Sequence, residues 1–376
     1  MMQLHLPTEL RLGAGVLADW LPRGDQVLLV VSGSLDGAVR DELAERWKAA
    51  GRRVSIVIKP SGEPESAAID EAASRIAMSP DVVTAVGGGS TLDFAKGLAV
   101  VLRSRVSVAE HEFGASPVES VIPLELAPST AGSGSEVTPY AVINNTATRR
   151  KFTLSHPGLQ PAVARVDVNL LWSLGGESLL APALDAFTHC LEAVLNREGP
   201  GLIEPLAMAG LRIAWKNLEA VGATPGGTVP PPPSAGLLED LARLSVYGGL
   251  SIAHRRTGLI HTLSVAFAPF TDAAHGTLNA ALLPFALEHN LPGYGGLLAR
   301  IWTRMTRQAV SSDADALERL SGWTSSLRGH VAWKEGRTVV PIVTRVLQDK
   351  GLPSVSHGRI SQEALAPLVE RIIHEA

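Results

Sequence analysis

The chain has a single cysteine, Cys190, among 376 residues. No internal disulfide framework can form, and a lone thiol fits a reducing cytoplasm. It also lacks a surplus of positive charge. Thirty-three Lys and Arg stand against 37 Asp and Glu, a net charge of −4, which points to neither a nucleic-acid nor a membrane partner. No uninterrupted apolar stretch is long enough to span a bilayer. The first residues, MMQLHLPTELRLGAG, lack the basic segment and apolar run of a signal peptide. There is no internal repeat and no GxGxxG fingerprint. What remains is 45% hydrophobic and 19% charged, ordinary for a globular protein, and long enough for two domains with sizeable cores.

The two halves differ in texture. QVLLVVSG, RRVSIVIKP and DVVTAVGGGS read as strands. DGAVRDELAERWKAAG, ESAAIDEAASRIAMS and TLDFAKGLAVVLRS read as the helices between and after them. Strand and helix in alternation argue for a parallel sheet with right-handed crossovers, which carries ligands at the carboxyl ends of its strands. From about residue 175 the pattern is helical, with helices expected at 179–196, 203–221, 237–253, 257–268, 276–289, 295–306 and 313–328, and further ones near 338–349 and 361–374. GATPGGTVPPPPSAG at 222–236 cannot continue a helix and reads as a surface loop. The expected organisation is a Rossmann-like α/β domain over 1–174 and an all-α domain over 175–376, with a cleft between them.

Two pairs of candidate metal ligands lie in the helical half. Asp185 and His189, in LDAFTHCLE, are four residues apart on a helix and share one face. His261 and His275 follow in LIHTLSVAFAPFTDAAHG. One carboxylate and three imidazoles suit a divalent first-row metal with a position left for water or substrate. If they do not converge, they are three of eleven histidines.

In the first half, Gly87-Gly88-Gly89-Ser90 follows a strand and opens a helix. Such a turn lets a phosphate approach the backbone and meet the free N–H groups of the helix start, or it is a plain strand-to-helix turn. Asp93 and Lys96 follow in the same helix. PSTAGSGSE, residues 128–136, is a second polar loop, fit either to hold a nucleotide or to be ordinary surface.

These segments together, GGGSTLDFAKGLA, PSTAGSGSEVTPYAVI, LDAFTHCLEA and GLIHTLSVAF…DAAHGTLNAALLPFALEHN, resemble the iron-containing (group III) alcohol dehydrogenase family in order, content and spacing. The resemblance spreads over roughly residues 10–370. It implies a dinucleotide-binding N-terminal domain, a helical metal-binding C-terminal domain of the dehydroquinate synthase-like fold, and a homodimer. By position, Asp185, His189, His261 and His275 correspond to the metal ligands. The metal implied is Fe2+, with Zn2+ as the alternative. Gly88, Gly89 and Ser90 correspond to the pyrophosphate loop, with Asp93 after it. Ser129, Thr130 and Ser135 match the polar cofactor loop, and Lys151 a lysine reaching the nicotinamide ribose. The implied reaction is hydride transfer between an alcohol and NAD or NADP, the metal lowering the pKa of the alcohol oxygen.

Three positions depart from the family pattern. Val265 stands where many members carry a histidine four residues after the third ligand, and a valine relays no proton. His254 and Arg255 stand where asparagine and a small residue are usual. A cationic cluster beside a metal is costly unless it meets an anion, so an acidic substrate is one expectation and a solvated helix face or subunit contact the other. At the end of the first predicted strand, Ser32-Gly33-Ser34 replaces the aspartate that holds the ribose diol of NAD, which leaves room for the 2′-phosphate of NADP.

The leading expectation is therefore a metal-dependent NAD(P) oxidoreductase acting on a small alcohol or carbonyl compound. Maleylacetate and phosphonoacetaldehyde reductases are relatives of the acidic-substrate kind. An alternative uses the same parts for oxidative decarboxylation of a β-hydroxy acid, free or at a peptide C-terminus, with a cation stabilising the enolate. A third, of another class, is an NAD- and metal-dependent sugar-phosphate cyclase. The Asp-xxx-His pair and the PSTAGSGSE loop favour the dehydrogenase branch.

Overall fold

The computed structural model describes residues 5–114, 116–148, 150–172, 176–222 and 233–375. Among these, residues 5–130 with 134–172 form one compact unit, and residues 131–133 with 176–375 form another. They are called the sheet unit and the helical unit below.

The sheet unit holds β1 (Glu9–Gly13), β2 (Gln26–Ser32), α1 (Gly37–Ala49), β3 (Arg53–Lys59), α2 (Ser66–Arg75), β4 (Val82–Gly87), α3 (Gly89–Ser104), β5 (Leu124–Pro128), β6 (Tyr140–Asn145), β7 (Arg150–Ser155) and β8 (Val163–Asp167). Six strands form a parallel sheet in the order β1-β8-β5-β4-β2-β3, and β6 and β7 form a separate antiparallel ribbon. The period of two along β2 explains why the sheet is covered on both faces. Leu28 and Val30 enter the core that includes Ile69, Phe94 and Leu98 of α2 and α3. Val27, Leu29 and Val31 enter a second core with Trp20 and Trp47. Those two indoles meet edge to face at 5.1 Å, and both N–H groups are satisfied, by Glu125 and by the Trp20 carbonyl.

The six segments read from the sequence of the first half appear within a few residues of their expected ends. The strands β1, β5 and β8 and the β6–β7 ribbon were not anticipated. β8, VARVD, carries Arg165 and Asp167, yet all five of its residues are buried. Asp167 accepts hydrogen bonds from the backbone N–H groups of Gly15 and Leu17, about 150 residues away in sequence. Burial of a charge with distant partners leaves no local pattern to read.

The helical unit comprises α4 (Gly176–Leu195), α5 (Glu204–Gly222), α6 (Ala235–Arg255), α7 (Leu259–Phe267), α8 (His275–Asn290), α9 (Leu297–Thr306), α10 (Asp313–Leu327), α11 (Val339–Val346), α12 (Leu352–Val355) and α13 (Gln362–Glu375). α4 is its axis, packed by α5, α6 and α8. Two glycines set how closely its neighbours come. A Cβ on Gly276 would lie 1.8 Å from the Ala181 carbonyl oxygen, and one on Gly248 would lie 2.9 Å from that of Ala186. Backbone therefore rests on backbone on either side of the Asp185–His189 turn. The expected proline-rich loop at 222–236 falls largely on residues 223–232, which lie outside the described residues. No helix among the described residues is long and apolar enough to cross a membrane.

Candidate metal centre and nucleotide-binding edge

In the helical unit, α4 turns Asp185 and His189 to the same side, one helical turn apart. α7 adds His261 and the first residue of α8 adds His275. The Nε2 atoms of His261, His189 and His275 lie 3.2, 3.6 and 3.7 Å from one atom, Oδ1 of Asp185. The rings of His189 and His261 are stacked with centroids 4.6 Å apart, and His261 meets His275 edge to face at 5.4 Å. Asp185, His189 and His261 are buried, whereas the His275 side chain is 40% exposed, so the group opens at one corner.

Burial should raise the Asp185 carboxyl, but the charges of His189 and His275 and the His261 contact outweigh it and hold it below the usual range. Burial, helped by the neighbouring imidazoles, pushes His189 down to about 4. Burial opposes protonation of His261 too, yet the Glu192 and Asp185 carboxylates pull it up to about 9. One of the two stacked rings is therefore disposed to be neutral and the other charged.

This donor set fits a divalent cation. Bonds of about 2.0–2.2 Å in a tetrahedral arrangement separate neighbouring ligand atoms by about 3.3–3.6 Å, close to the spacings found. At 3.6 and 3.7 Å from Asp185 Oδ1, the Nε2 atoms of His189 and His275 stand beyond hydrogen-bond reach of it. Asp185, His189 and His261 have ligand atoms all within 4.8 Å of one another.

Two further residues complete the group. Glu192 accepts from Nδ1 of His261 at 2.6 Å. Asn279 Nδ2 lies 2.9 Å from Asp185 Oδ1 and 3.1 Å from His261 Nε2. Neither was picked out from the sequence. The signal was present: Glu192 is three residues after His189 and Asn279 four after His275, each on the ligand face of its helix. Ser264 lies 3.1 Å from Nδ1 of His275.

The cationic residues before α7 have other neighbours. His254 Nδ1 lies 2.8 Å from the Leu250 carbonyl, one turn back in α6. Arg255 crosses Gly201 so closely that a Cβ there would be 2.0 Å from its Nη2, and its buried Nε has no hydrogen-bond partner among the described residues. Arg256 pairs with Asp349 at 3.1 Å. Val265 is partly buried.

In the sheet unit, the expected cofactor residues cluster at the carboxyl ends of adjacent parallel strands. Ser32 ends β2, Gly88 to Ser90 follow β4, and Ser129 and Thr130 follow β5. Gly88 caps α3 without a side-chain hydrogen bond, and a Cβ on it would press to 3.3 Å from the Thr130 methyl. Ser32 and Ser34 hydroxyls meet at 2.8 Å, and Asp36 caps α1 through the Ala38 N–H.

The charged residues of this motif turn inward. Asp93 accepts from the Ser135 hydroxyl at 2.7 Å and the Val142 N–H at 2.9 Å. Lys96 is fully buried and donates to the carbonyls of Ser135, Thr138 and Tyr140, each at 2.7 Å. Burial brings it down to about 8. These two side chains pin the loop after β5 to α3. Lys151, on β7, lies 3.4 Å from Glu63.

Known proteins can be set beside this geometry. The iron-containing alcohol dehydrogenase family matches residues 7–168, and its C-terminal family model matches residues 180–328. Alcohol dehydrogenase 4 of Saccharomyces cerevisiae is 27% identical over 258 residues, covering 68% of this chain and 65% of its own length. A 1,3-propanediol dehydrogenase of Klebsiella pneumoniae is 26% identical over 71% of this chain and 68% of its own. The chain thus spans about two thirds of these relatives. An iron-containing alcohol dehydrogenase structure from Thermococcus thioreducens superposes with a TM-score of 0.86 over 100% of both chains at 22% identity, which establishes the fold. Both halves match models of one family, and the chain belongs to the iron-containing alcohol dehydrogenase family of oxidoreductases.

Proposed function

We propose that this protein interconverts an alcohol and an aldehyde or ketone with NAD(P), using a divalent metal held by Asp185, His189, His261 and His275. The observation that carries the reading is the approach of three imidazole nitrogens to one carboxylate oxygen. Fe2+ is the metal the family favours, and the same O/N set accepts Zn2+. When bound, the cation would supply Lewis acidity to the substrate oxygen and the nicotinamide would supply hydride chemistry.

The chain's own residues do the rest. Backbone N–H groups at Gly88, Gly89 and Ser90 receive the pyrophosphate, where the helix dipole favours negative charge. Ser129 and Thr130 border the cofactor, while Ser135 works indirectly through Asp93. Lys151 remains the candidate for the nicotinamide ribose. NADP is preferred, because Asp36 is committed to capping α1 and the end of β2 offers hydroxyls and a glycine. Val265 holds no proton, so the proton reaches solvent through water or a ribose hydroxyl. A homodimer is expected and light scattering checks it.

Within this reading the substrate carries an anionic group that Arg255 receives. The unpartnered Nε of Arg255 supports it. Metal analysis of protein purified without oxygen, followed by turnover of neutral and acidic alcohols with both cofactors, tests the whole. Protein that binds no metal and turns over no alcohol would end it. Arg255→Ala should raise KM for an acidic substrate far more than for a neutral one, and equal effects on both would remove the acidic-substrate reading alone.

A further inference from the structure

Glu192 has no place in the reaction just described, yet both of its carboxylate oxygens are engaged. It is buried on α4, seven residues beyond Asp185. Its Oε2 accepts the Gly258 N–H at 2.8 Å and faces His261 Nδ1 at 2.6 Å, and its Oε1 accepts the Ile260 N–H at 2.6 Å. A Cβ on Gly258 would lie 3.0 Å from Oε1, so a side chain there would press on this carboxylate. Two backbone N–H groups at the start of α7 and one ring nitrogen thus share a single carboxylate. It occupies the helix N-terminus, where negative charge is favoured and Gly258 offers no side-chain cap.

The consequence falls on His261. A carboxylate can only accept, so Nδ1 must carry the proton. That leaves Nε2, 3.2 Å from Asp185 Oδ1 and 3.1 Å from Asn279 Nδ2, as the nitrogen that a metal would take. The same three contacts fix the position of α7, which carries His261 one residue beyond the anchored Ile260 N–H. We infer that Glu192 is a positioning residue for the metal centre: it sets the tautomer of His261 and the placement of its ring by clamping the first turn of α7. This rests on the metal reading above.

The test is metal affinity rather than turnover. Wild type, Glu192→Gln, Glu192→Asp and His261→Ala are stripped of metal and titrated with Zn2+ against a chromophoric chelator. Co2+ spectra of each report the coordination geometry, and melting of the metal-free proteins reports folding. Gln keeps the shape but brings an amide N–H to face three donors, and Asp keeps the charge but is one methylene short. Both should bind Zn2+ about 10–100-fold more weakly than wild type, with altered Co2+ bands and a smaller gain in Tm on adding metal. Glu192→Gln and Glu192→Asp that lose Tm without metal but match wild type in Zn2+ affinity and Co2+ spectrum would make Glu192 a purely structural anchor and overturn the inference. If wild type itself binds neither metal, the metal reading fails first, and a wild type that binds while the Glu192 variants bind equally well fails this inference alone.

Discussion

The two units put buried charge to opposite uses. In the helical unit, ionisable groups face one another across a gap sized for a cation, and two of the imidazoles come no nearer to Asp185 than 3.6 Å. In the sheet unit, Asp93 and Lys96 satisfy themselves on neighbouring hydroxyl, N–H and carbonyl groups, leaving backbone and small hydroxyls at the strand ends for a ligand. Each arrangement suits its partner. A metal replaces the solvation of a carboxylate and imidazoles directly, whereas a pyrophosphate needs close backbone approach and a rigid loop. A charged residue inside a ligand-binding motif is therefore not by that fact a ligand-binding residue.

The sharpest break in this contrast is a change that destroys one function and leaves the other intact. Asp185→Asn removes the charge on which three imidazoles converge. The metal's Lewis acidity is worth several kcal/mol, so kcat/KM should fall by about a thousandfold or more and metal content should drop with it. Dinucleotide binding by fluorescence should be unchanged. Retention of both metal and activity would remove Asp185 from the ligand set.

The reciprocal change is Lys96→Met. It strands three carbonyls and leaves Asp93 without its nearest cation, and breaking such a buried group costs about 3–5 kcal/mol. Urea melts should show that loss, KM for NAD(P) should rise, and Zn2+ affinity should stay at the wild-type value. If Lys96→Met instead leaves stability unchanged and abolishes turnover, Lys96 acts on the ligand and the contrast collapses.

The difference between the units also explains what could be read in advance. Metal donors are few residue types, so Asp185 and His189 stand out at i and i+4 on α4, and His261 and His275 stand close together in sequence on α7 and α8. Glu192 and Asn279 share those faces but belong to commoner residue types, and their meaning appears only when α7 is laid across α4. In the sheet unit the glycine turn was visible, while the task of Lys96 was not. Its three acceptors lie about 40 residues away in a loop and ribbon that have no strong period. Alternation located β2, β3 and β4. It failed on β8, where buried Arg165 and Asp167 are satisfied by residues far along the chain.

One group in the sheet unit breaks the rule just stated, and it gives the smallest and most specific prediction. Glu136 is buried, and neither of its carboxylate oxygens has a hydrogen-bond partner in another described residue. Burial pushes it up to about 7, with its own backbone N–H and then Lys96 pulling only partly the other way. An acid raised above its ordinary value of 4.5 gives its full contribution to stability below that value and loses it as pH rises through about 7. Glutamine is neutral throughout, so Glu136→Gln should remove this loss. Relative to wild type the variant should gain little between pH 4 and 5, and then up to about 3 kcal/mol as pH passes 7. Lys96 stays largely charged up to pH 7, since its own value is about 8, so the difference up to there belongs to Glu136. Urea melts of both proteins at pH 4, 5, 6 and 7 measure it. Parallel pH profiles would mean that Glu136 is held ionised, and the sheet unit would then contain an anionic site that its hydrogen bonds do not reveal.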